Sequence, residues 1–163
     1  MENKITIKFD YKNLKNTQSV GEFGEQLIRL NFTINNIDTF IPLIDDKAID
    51  FIARTQNSKY FDIQVKTIRL TKERYFYEVK EKWGEKIRQN LLIAFVILIA
   101  EQEPILLLIP GENWEEESRN NKIFANRDYE GKKSKAEYGL TINENNLSYL
   151  SEKYEINKTL KTL

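Results

Sequence analysis

Apolar and polar residues are arranged along the first half of the chain in a pattern that predicts one helix and then several strands. Ser19 and Glu22 fit a capping box, and the apolar residues that follow at helical spacing predict a first helix over 19–31. Polar, turn-forming segments separate the next apolar runs. These runs predict three strands, over 39–44, 48–54 and 60–68, and a fourth run over 75–79 that either ends this series of strands or opens the next helix.

The second half of the chain begins with another helical pattern. Apolar residues that recur every four positions from Val79 to Leu91 predict a second helix over 78–90, although Gly84 in its middle weakens it. Beyond Pro110 the chain is more polar, and we expect one last helix around 145–154. Between these two helices, apolar runs predict an antiparallel pair of strands buried on both faces, over 92–100 and 105–109.

The strand over 60–68 carries apolar and polar side chains in strict alternation. The apolar set is Phe61, Ile63 and Val65, and the polar set is Asp62, Gln64 and Lys66. Because successive side chains of a strand point to opposite faces, we expect the first set to enter the core and the second set to line the other face. Asp50 opens the preceding strand. An acid, an amide and an amine on neighbouring strands can hold a divalent cation beside a lysine, so this face is the candidate site.

Length and composition limit both the architecture and the chemistry. With 163 residues and 40% hydrophobic content, we expect one domain over 1–163, with a core over 19–109 and a C-terminal extension over 110–163. The chain has no histidine and no cysteine. Thiolate zinc sites, cysteine nucleophiles and Ser-His pairs are therefore excluded, and metal chemistry would depend on carboxylates, amides and carbonyls.

Charge and hydropathy indicate the environment of the protein. The 25 basic and 25 acidic residues balance, which argues against a general histone-like binder of nucleic acid but is compatible with a local basic patch. The longest apolar run, 91–100, is about half of the ~20 residues that a membrane helix needs, so we expect no membrane association. No secretion signal is recognisable at the start, and a cytoplasmic location is expected.

The predicted order of elements and a few residues together resemble a known family. The residues are Asp50, the run Gln64-Val65-Lys66 and the pair Gly24-Glu25 in the first helix. With the order helix, three strands, helix, strands, they resemble the PD-(D/E)XK nuclease superfamily over roughly 19–109. The Gln-x-Lys form is similar to that of methyl-directed restriction endonucleases and related small nuclease-like proteins. The resemblance implies a restriction-endonuclease-like α/β core of order αβββαβ, with a central mixed sheet flanked by helices.

The resemblance also implies a function and roles for individual residues. It implies a magnesium-dependent DNA endonuclease, with Mn²⁺ as an alternative metal. Asp50, Gln64 and Glu25 would hold the metal, and Lys66 would position the attacking water. An amide brings no negative charge, so Asp62 or Glu25 would have to compensate at Gln64. Because cutting both strands needs two sites, a homodimer is expected.

Basic residues with interleaved tyrosines are the candidates for contact with DNA. After the third predicted strand they are Lys66, Arg69, Lys72 and Arg74, followed by Tyr75 and Tyr77. On the second predicted helix they are Lys80, Lys82, Lys86 and Arg88. In the late loop they are Arg127, Lys132, Lys133 and Lys135, with Tyr129. A chain that is 31% charged produces such clusters on any surface, so pairing with neighbouring acids is an equally good interpretation.

Simpler interpretations of the site residues stay open, and so do two other functions. Asp50 could cap or flank its strand, Gln64 and Lys66 could be ordinary residues of a solvated face, and Glu25 could pair with Arg29. A nuclease-like module that binds nucleic acid or protein without cleavage is the first alternative function. An immunity or partner protein that uses the acidic run 112–117 against a basic partner is the second.

Overall fold

A computed structural model describes residues 10–43, 47–129, 131 and 134–163. Ile44, the predicted end of the first strand, and Lys132 and Lys133 of the late basic cluster lie outside these residues. None of the helices in the described part of the chain is long and apolar enough to cross a membrane.

The elements follow one another as a helix, four strands, a short helix and further strands, so one strand more than the family resemblance implies precedes the second helix. The helices are α1 Thr17–Ile34, α2 Lys80–Trp83, α3 Gly111–Asn120, α4 Glu144–Tyr154 and α5 Ile156–Leu160, with a 3₁₀ turn at Tyr11–Asn13. The strands are β1 Asp38–Phe40, β2 Phe51–Arg54, β3 Tyr60–Arg69, β4 Glu73–Val79, β5 Leu91–Leu98, β6 Ile105–Pro110, β7 Phe124–Arg127 and β8 Glu137–Asn143.

The strands form two sheets. The main sheet has the order β1-β2-β3-β5-β6, in which β3 and β5 are parallel and the other neighbours are antiparallel. The second sheet is antiparallel and has the order β4-β8-β7. Parallel neighbours need a crossover connection, and the crossover from β3 to β5 contains β4 and α2. The predicted fold class, a mixed α/β core with a central mixed sheet flanked by helices, is confirmed.

A hydrophobic core lies on each face of the main sheet. On the first face, Ile63 and Val65 of β3 pack with residues of α1 and α5 such as Ile28 and Ile156. On the second face, the main sheet packs with α2, α3, α4 and the second sheet, around Trp83 and Trp114, which are fully buried. All eight residues of β5 are buried, as expected for a strand covered on both sides.

The first helix begins earlier than predicted. The side chain of Asn16 accepts a hydrogen bond from the Ser19 backbone, and α1 starts at Thr17. The predicted capping box of Ser19 and Glu22 is therefore wrong, because Asn16 already provides the N-cap and the Glu22 carboxylate accepts a hydrogen bond from Gln26.

The predicted second helix over 78–90 is also wrong for most of its length. Only α2, four residues long, is helical, and it ends at Gly84, whose φ of 97° lies outside the helical range. The hydroxyl of Tyr138 donates to the carbonyls of Gly84 and Glu85, so the segment that follows α2 is held by β8 instead.

The polar C-terminal extension contains more regular structure than predicted. Its last helix was expected, but α3, β7 and β8 were not. Strand β8 did carry a signal, because Tyr138, Leu140 and Ile142 alternate with less apolar residues and all three are fully buried. The acidic run 112–117 lies in α3, where Trp114 and Glu117 are buried.

Candidate functional site on strand β3

Asp50 is attached to the backbone of β3 between the two other predicted site residues. Its amide donates to the carbonyl of Ile63 at 2.9 Å, and its carboxylate accepts from the amide of Val65 at 2.5 Å. The β2 strand pairs with β3 only as far as Phe51 and Ile63, so Asp50 satisfies a strand-edge donor beyond the ladder. The carboxylate therefore has the structural role of a strand cap, and its hydrogen-bond partner, Val65, lies between Gln64 and Lys66 along the chain.

Gln64 is buried, with 2% of its surface exposed, because the second sheet and α2 cover this face of β3. The indole N–H of Trp83 donates to the amide oxygen of Gln64 at 2.6 Å. The amide nitrogen of Gln64 donates to the carboxylate of Glu78 at 3.4 Å. The interpretation of Gln64 as an ordinary residue on a solvated face is therefore wrong.

These two contacts explain why an amide occupies position 64. An indole N–H can only donate a hydrogen bond, so the amide oxygen of Gln64 must face Trp83 and the nitrogen must face Glu78. A glutamate at this position could accept from Trp83, but its second oxygen would face the buried carboxylate of Glu78. Two carboxylates in contact away from water repel each other strongly, so glutamine suits this surrounding better.

Glu78 is a buried carboxylate at the centre of the site, and the candidate list drawn from the sequence does not include it. Only 7% of its surface is exposed. It accepts from its neighbour's backbone, Val79 N–H, at 3.2 Å and pairs with Lys66 at 3.4 Å and Lys82 at 3.3 Å. Its position on the same face of β4 as the inward Phe76 follows from strand alternation, which is the signal that could have found it.

Lys66 lies at the edge of this buried cluster. Its side chain is 31% exposed, and its ammonium group lies 5.6 Å from the ring centroid of Phe76, in addition to the ion pair with Glu78. A ligand can therefore reach Lys66 although its neighbour Gln64 is enclosed. Asp62, considered as a source of charge beside Gln64, pairs instead with Arg88 at 3.3 Å.

Glu25 follows a glycine that brings α1 into close contact with β3. A Cβ atom added to Gly24 would lie 1.8 Å from the hydroxyl oxygen of Thr67, so only glycine allows this approach. Thr67 is the residue after Lys66, and this turn of α1 therefore packs on the strand that carries the candidate site. Glu25 itself is half-buried there.

The oxygen donors near Lys66 suit a hard cation, but they are not a dense acidic cluster. Across residues 10–43, 47–129, 131 and 134–163, no three or more acidic side chains are grouped so that they could share a metal ion. The predicted metal ligands Asp50 and Gln64 offer a carboxylate and an amide oxygen, which are donors of the kind that Mg²⁺ and Mn²⁺ accept. A carbonyl oxygen has two acceptor positions, and Trp83 uses one of those on Gln64.

Most of the basic residues that were expected to contact DNA and that the structure describes are paired with acids. Five ion pairs account for cations of the second predicted helix and the late loop: Lys80 with Asp128, Lys82 with Glu78, Arg88 with Asp62, Arg127 with Glu137 and Lys135 with Glu81. Arg69 donates to the carbonyls of Tyr11 and Leu14 and so fastens the segment before α1 to β3. Lys72 and Arg74 are exposed, and neither forms an ion pair with any residue that the structure describes.

Comparison with known proteins gives similarity to solved structures but no match by sequence. No family model matches the sequence, and no curated protein matches it. Among solved structures, the chain is similar to Hjc, a Holliday junction resolvase of the archaeal hyperthermophile Archaeoglobus fulgidus. The identity is 10% and the TM-score is 0.47, with 85% of this chain and 93% of that chain covered.

Proposed function

We propose that this protein is a divalent-metal-dependent endonuclease that hydrolyses phosphodiester bonds of DNA. The observation that carries the proposal is the attachment of the Asp50 carboxylate to β3 between Gln64 and the partly exposed Lys66. It gives one acid and one ammonium group fixed positions along a single short stretch of strand. The support comes from this geometry and from the resemblance of the motif to that of PD-(D/E)XK nucleases.

The proposed reaction adds one water molecule across a P–O bond. The water oxygen attacks phosphorus, the bond to the leaving sugar oxygen breaks, and the products are a phosphomonoester and a hydroxyl group. The Lys66 ammonium would donate to a non-bridging phosphate oxygen and stabilise the negative charge that develops there. Glu78, which pairs with Lys66, would keep that ammonium at the edge of the cluster.

The metal would be held by Asp50 and Gln64, with Glu25 as the further ligand that the resemblance implies. A bound Mg²⁺ or Mn²⁺ polarises the phosphoryl group and lowers the pKa of a bound water molecule. The residues of the chain fix the donors: Val65 orients the Asp50 carboxylate, and Trp83 orients the Gln64 amide oxygen. Cleavage of both strands of a duplex would need two copies of the chain, which we propose act as a homodimer in the cytoplasm.

A nicking assay on supercoiled plasmid and on branched DNA, with Mg²⁺ or Mn²⁺, tests the proposal. Lys66→Ala and Asp50→Asn should each lower the cleavage rate by about 100-fold or more. Asp50→Asn keeps an oxygen that can accept from Val65, so the strand cap is preserved while the charge is removed. Lys161→Ala, a change of an exposed lysine on the turn after α5, is the control and should cleave like the natural chain. Cleavage that persists in EDTA, or in both site variants, contradicts the proposal.

A second candidate function is a nucleic-acid-binding module that does not cleave. The observation that favours it is the engagement of both ends of the Gln64 amide, by Trp83 and Glu78, together with the lack of a group of three acids among the described residues. The same assay separates the two. A chain that binds DNA with unchanged affinity in EDTA and Mg²⁺, and never nicks it, is the module.

A further inference from the structure

A cleft of about 470 Å³ lies beside the candidate site, between the start of α1, the end of β3 and the start of β4. Thr67 and Arg69 of β3 form one side, Lys15 lies at the α1 end, and Arg74 and Tyr75 lie on β4. The contact of Arg69 with the carbonyls of Tyr11 and Leu14 holds the α1 end in place. The cleft is therefore built by three segments, two of which are joined by this long-range contact.

The charge of the cleft differs sharply from that of the whole chain. Three of its lining residues are cationic, and none of the described residues that line it is acidic. The complete chain has equal numbers of acidic and basic residues, and the cations near Glu78 and Asp62 are paired. Lys15 and Arg74 are exposed and, within the described part of the chain, form no ion pair. Uncompensated positive charge in a concave site favours an anionic ligand.

Lys66 lies next to residues that line the cleft. Thr67, Ile68 and Arg69, which line it, follow Lys66 directly on β3. Phe76 also lines it, and the Lys66 ammonium lies over the Phe76 ring. A ligand with several phosphates along a chain could therefore contact Lys66 with one phosphate and the cleft cations with its neighbours.

Tyrosines extend this surface across the outer face of the second sheet. Tyr75 is held in place by a hydrogen bond from its hydroxyl to Glu137 at 2.7 Å and by Arg127, whose guanidinium lies 5.1 Å from the ring centroid. Tyr77 stacks beside it at 6.4 Å between centroids and is 57% exposed. An exposed aromatic ring next to cations suits a ligand that carries sugars and bases as well as phosphates.

We propose that this cleft binds the phosphodiester backbone of a nucleic-acid strand, with Lys15 and Arg74 as direct phosphate contacts. In this arrangement Arg69 builds the cleft wall and Tyr77 contacts the sugar or base of a nucleotide next to it. The inference rests on the proposed function only for the claim that the bound strand continues to Lys66. Binding by the cleft itself does not require cleavage.

The test compares two double variants that each remove two exposed positive charges. Lys15→Gln with Arg74→Gln removes the cleft cations, and Lys122→Gln with Lys161→Gln is the matched control. Affinity for a fluorescently labelled DNA duplex of about 20 base pairs is measured in EDTA over a range of salt concentrations. The cleft variant should bind at least about tenfold more weakly, and the slope of log affinity against log salt should fall by about 2, because two phosphate contacts are lost. The control should match the natural chain, and melting curves should show both variants folded.

The outcomes separate this inference from the proposed function. Weaker binding of the cleft variant supports the inference even if no form of the protein ever cleaves DNA, in which case only the proposed function fails. Unchanged affinity and salt slope in the cleft variant overturn the inference, even if the natural chain cleaves DNA in a Lys66-dependent way. A nucleoside monophosphate that competes as strongly as the duplex also overturns it, because the cleft would then recognise one phosphate group and not a strand.

Discussion

Two buried carboxylates in this protein, Glu78 and Glu117, have very different surroundings. Both are almost inaccessible, with exposures of 7% and 3%. Glu117 on α3 accepts from Tyr154 at 2.5 Å and from Tyr149 at 2.8 Å, and the side chains of Lys153 and Asn121 also donate to it. Among the described residues, the contacts of Glu78 on β4 are longer, at 3.2–3.4 Å, and they are to Gln64, Lys66, Lys82 and the Val79 backbone.

The difference indicates which carboxylate serves the fold and which can serve a function. Burial alone would raise the pKa of Glu117, but the hydrogen bonds from Lys153, Tyr154 and Tyr149 outweigh it and hold the pKa below its ordinary value. A carboxylate with short contacts to four donors is saturated, and it fastens α3 to α4. The longer contacts of Glu78 are weaker individually, and they lead to Gln64 and Lys66 of the candidate site.

The comparison predicts the largest loss of stability at Glu117. Glu117→Ala leaves the Lys153 ammonium and the Tyr154 hydroxyl without their acceptor, and breaking a buried pair of this kind costs about 3–5 kcal/mol in the free energy of unfolding. Urea denaturation measures the change. Glu116→Ala, one residue away but exposed, should change the free energy by less than about 0.5 kcal/mol. Equal effects of the two substitutions would show that the contacts of Glu117 do not stabilise the fold.

The sequence identified the strand of the site but not the surroundings of its residues. The alternation of Ile63 and Val65 with polar residues was sufficient to predict β3 and its two faces. Whether the side chain of Gln64 is exposed or buried depends on the second sheet. Strand β8 of that sheet lies more than 70 residues further along the chain. Strand alternation describes one strand only, and it carries no information about which distant element covers a face.

The sequence pattern indicated a helix over 78–90, and for that reason Glu78 was not predicted as a residue of the site. The spacing of Val79, Trp83 and Ile87 fits a helix, and Trp83 and Ile87 are indeed buried. However, the segment that contains them is the end of β4, the short helix α2 and an irregular stretch. Hydrogen bonds from Tyr138 of β8 hold this stretch in place. Local periodicity could not distinguish these, because tertiary contacts override helix propensity, especially next to Gly84.

The second prediction sharpens the comparison by placing an additional acid against Glu78. Gln64→Glu should lower the free energy of unfolding by about 2 kcal/mol at pH 7, because it puts two carboxylates into contact where Nε2 of Gln64 now donates. Protonation of either carboxylate removes the repulsion, so the penalty relative to the natural chain should shrink as the pH falls to about 4.

A divalent cation gives this variant a second readout. Millimolar Mg²⁺ or Mn²⁺ should raise the melting temperature of Gln64→Glu more than that of the natural chain, since a cation that binds only the folded protein stabilises it. Gln64→Leu is the control: it removes the same hydrogen bonds without adding charge, and the difference between its stability and that of the natural chain should depend on neither pH nor metal. A metal response equal in all three proteins would place the cation site away from Gln64.

The smallest change in stability is expected for Glu78→Gln. An amide keeps the shape of the side chain and can still accept from Val79, and the contacts that it weakens are long, so the free energy of unfolding should fall by about 1 kcal/mol or less. The same change at Glu117 removes the charge that Lys153 pairs with and should cost more.

Cleavage or DNA affinity should nevertheless change more for Glu78→Gln, because Lys66 loses its ion-pair partner while Glu117 has no contact with the site. One outcome would contradict this prediction: Glu78→Gln destabilises the protein as much as Glu117→Gln and leaves the Lys66-dependent activity and its pH profile unchanged. Glu78 would then be a structural residue like Glu117 and would not position Lys66.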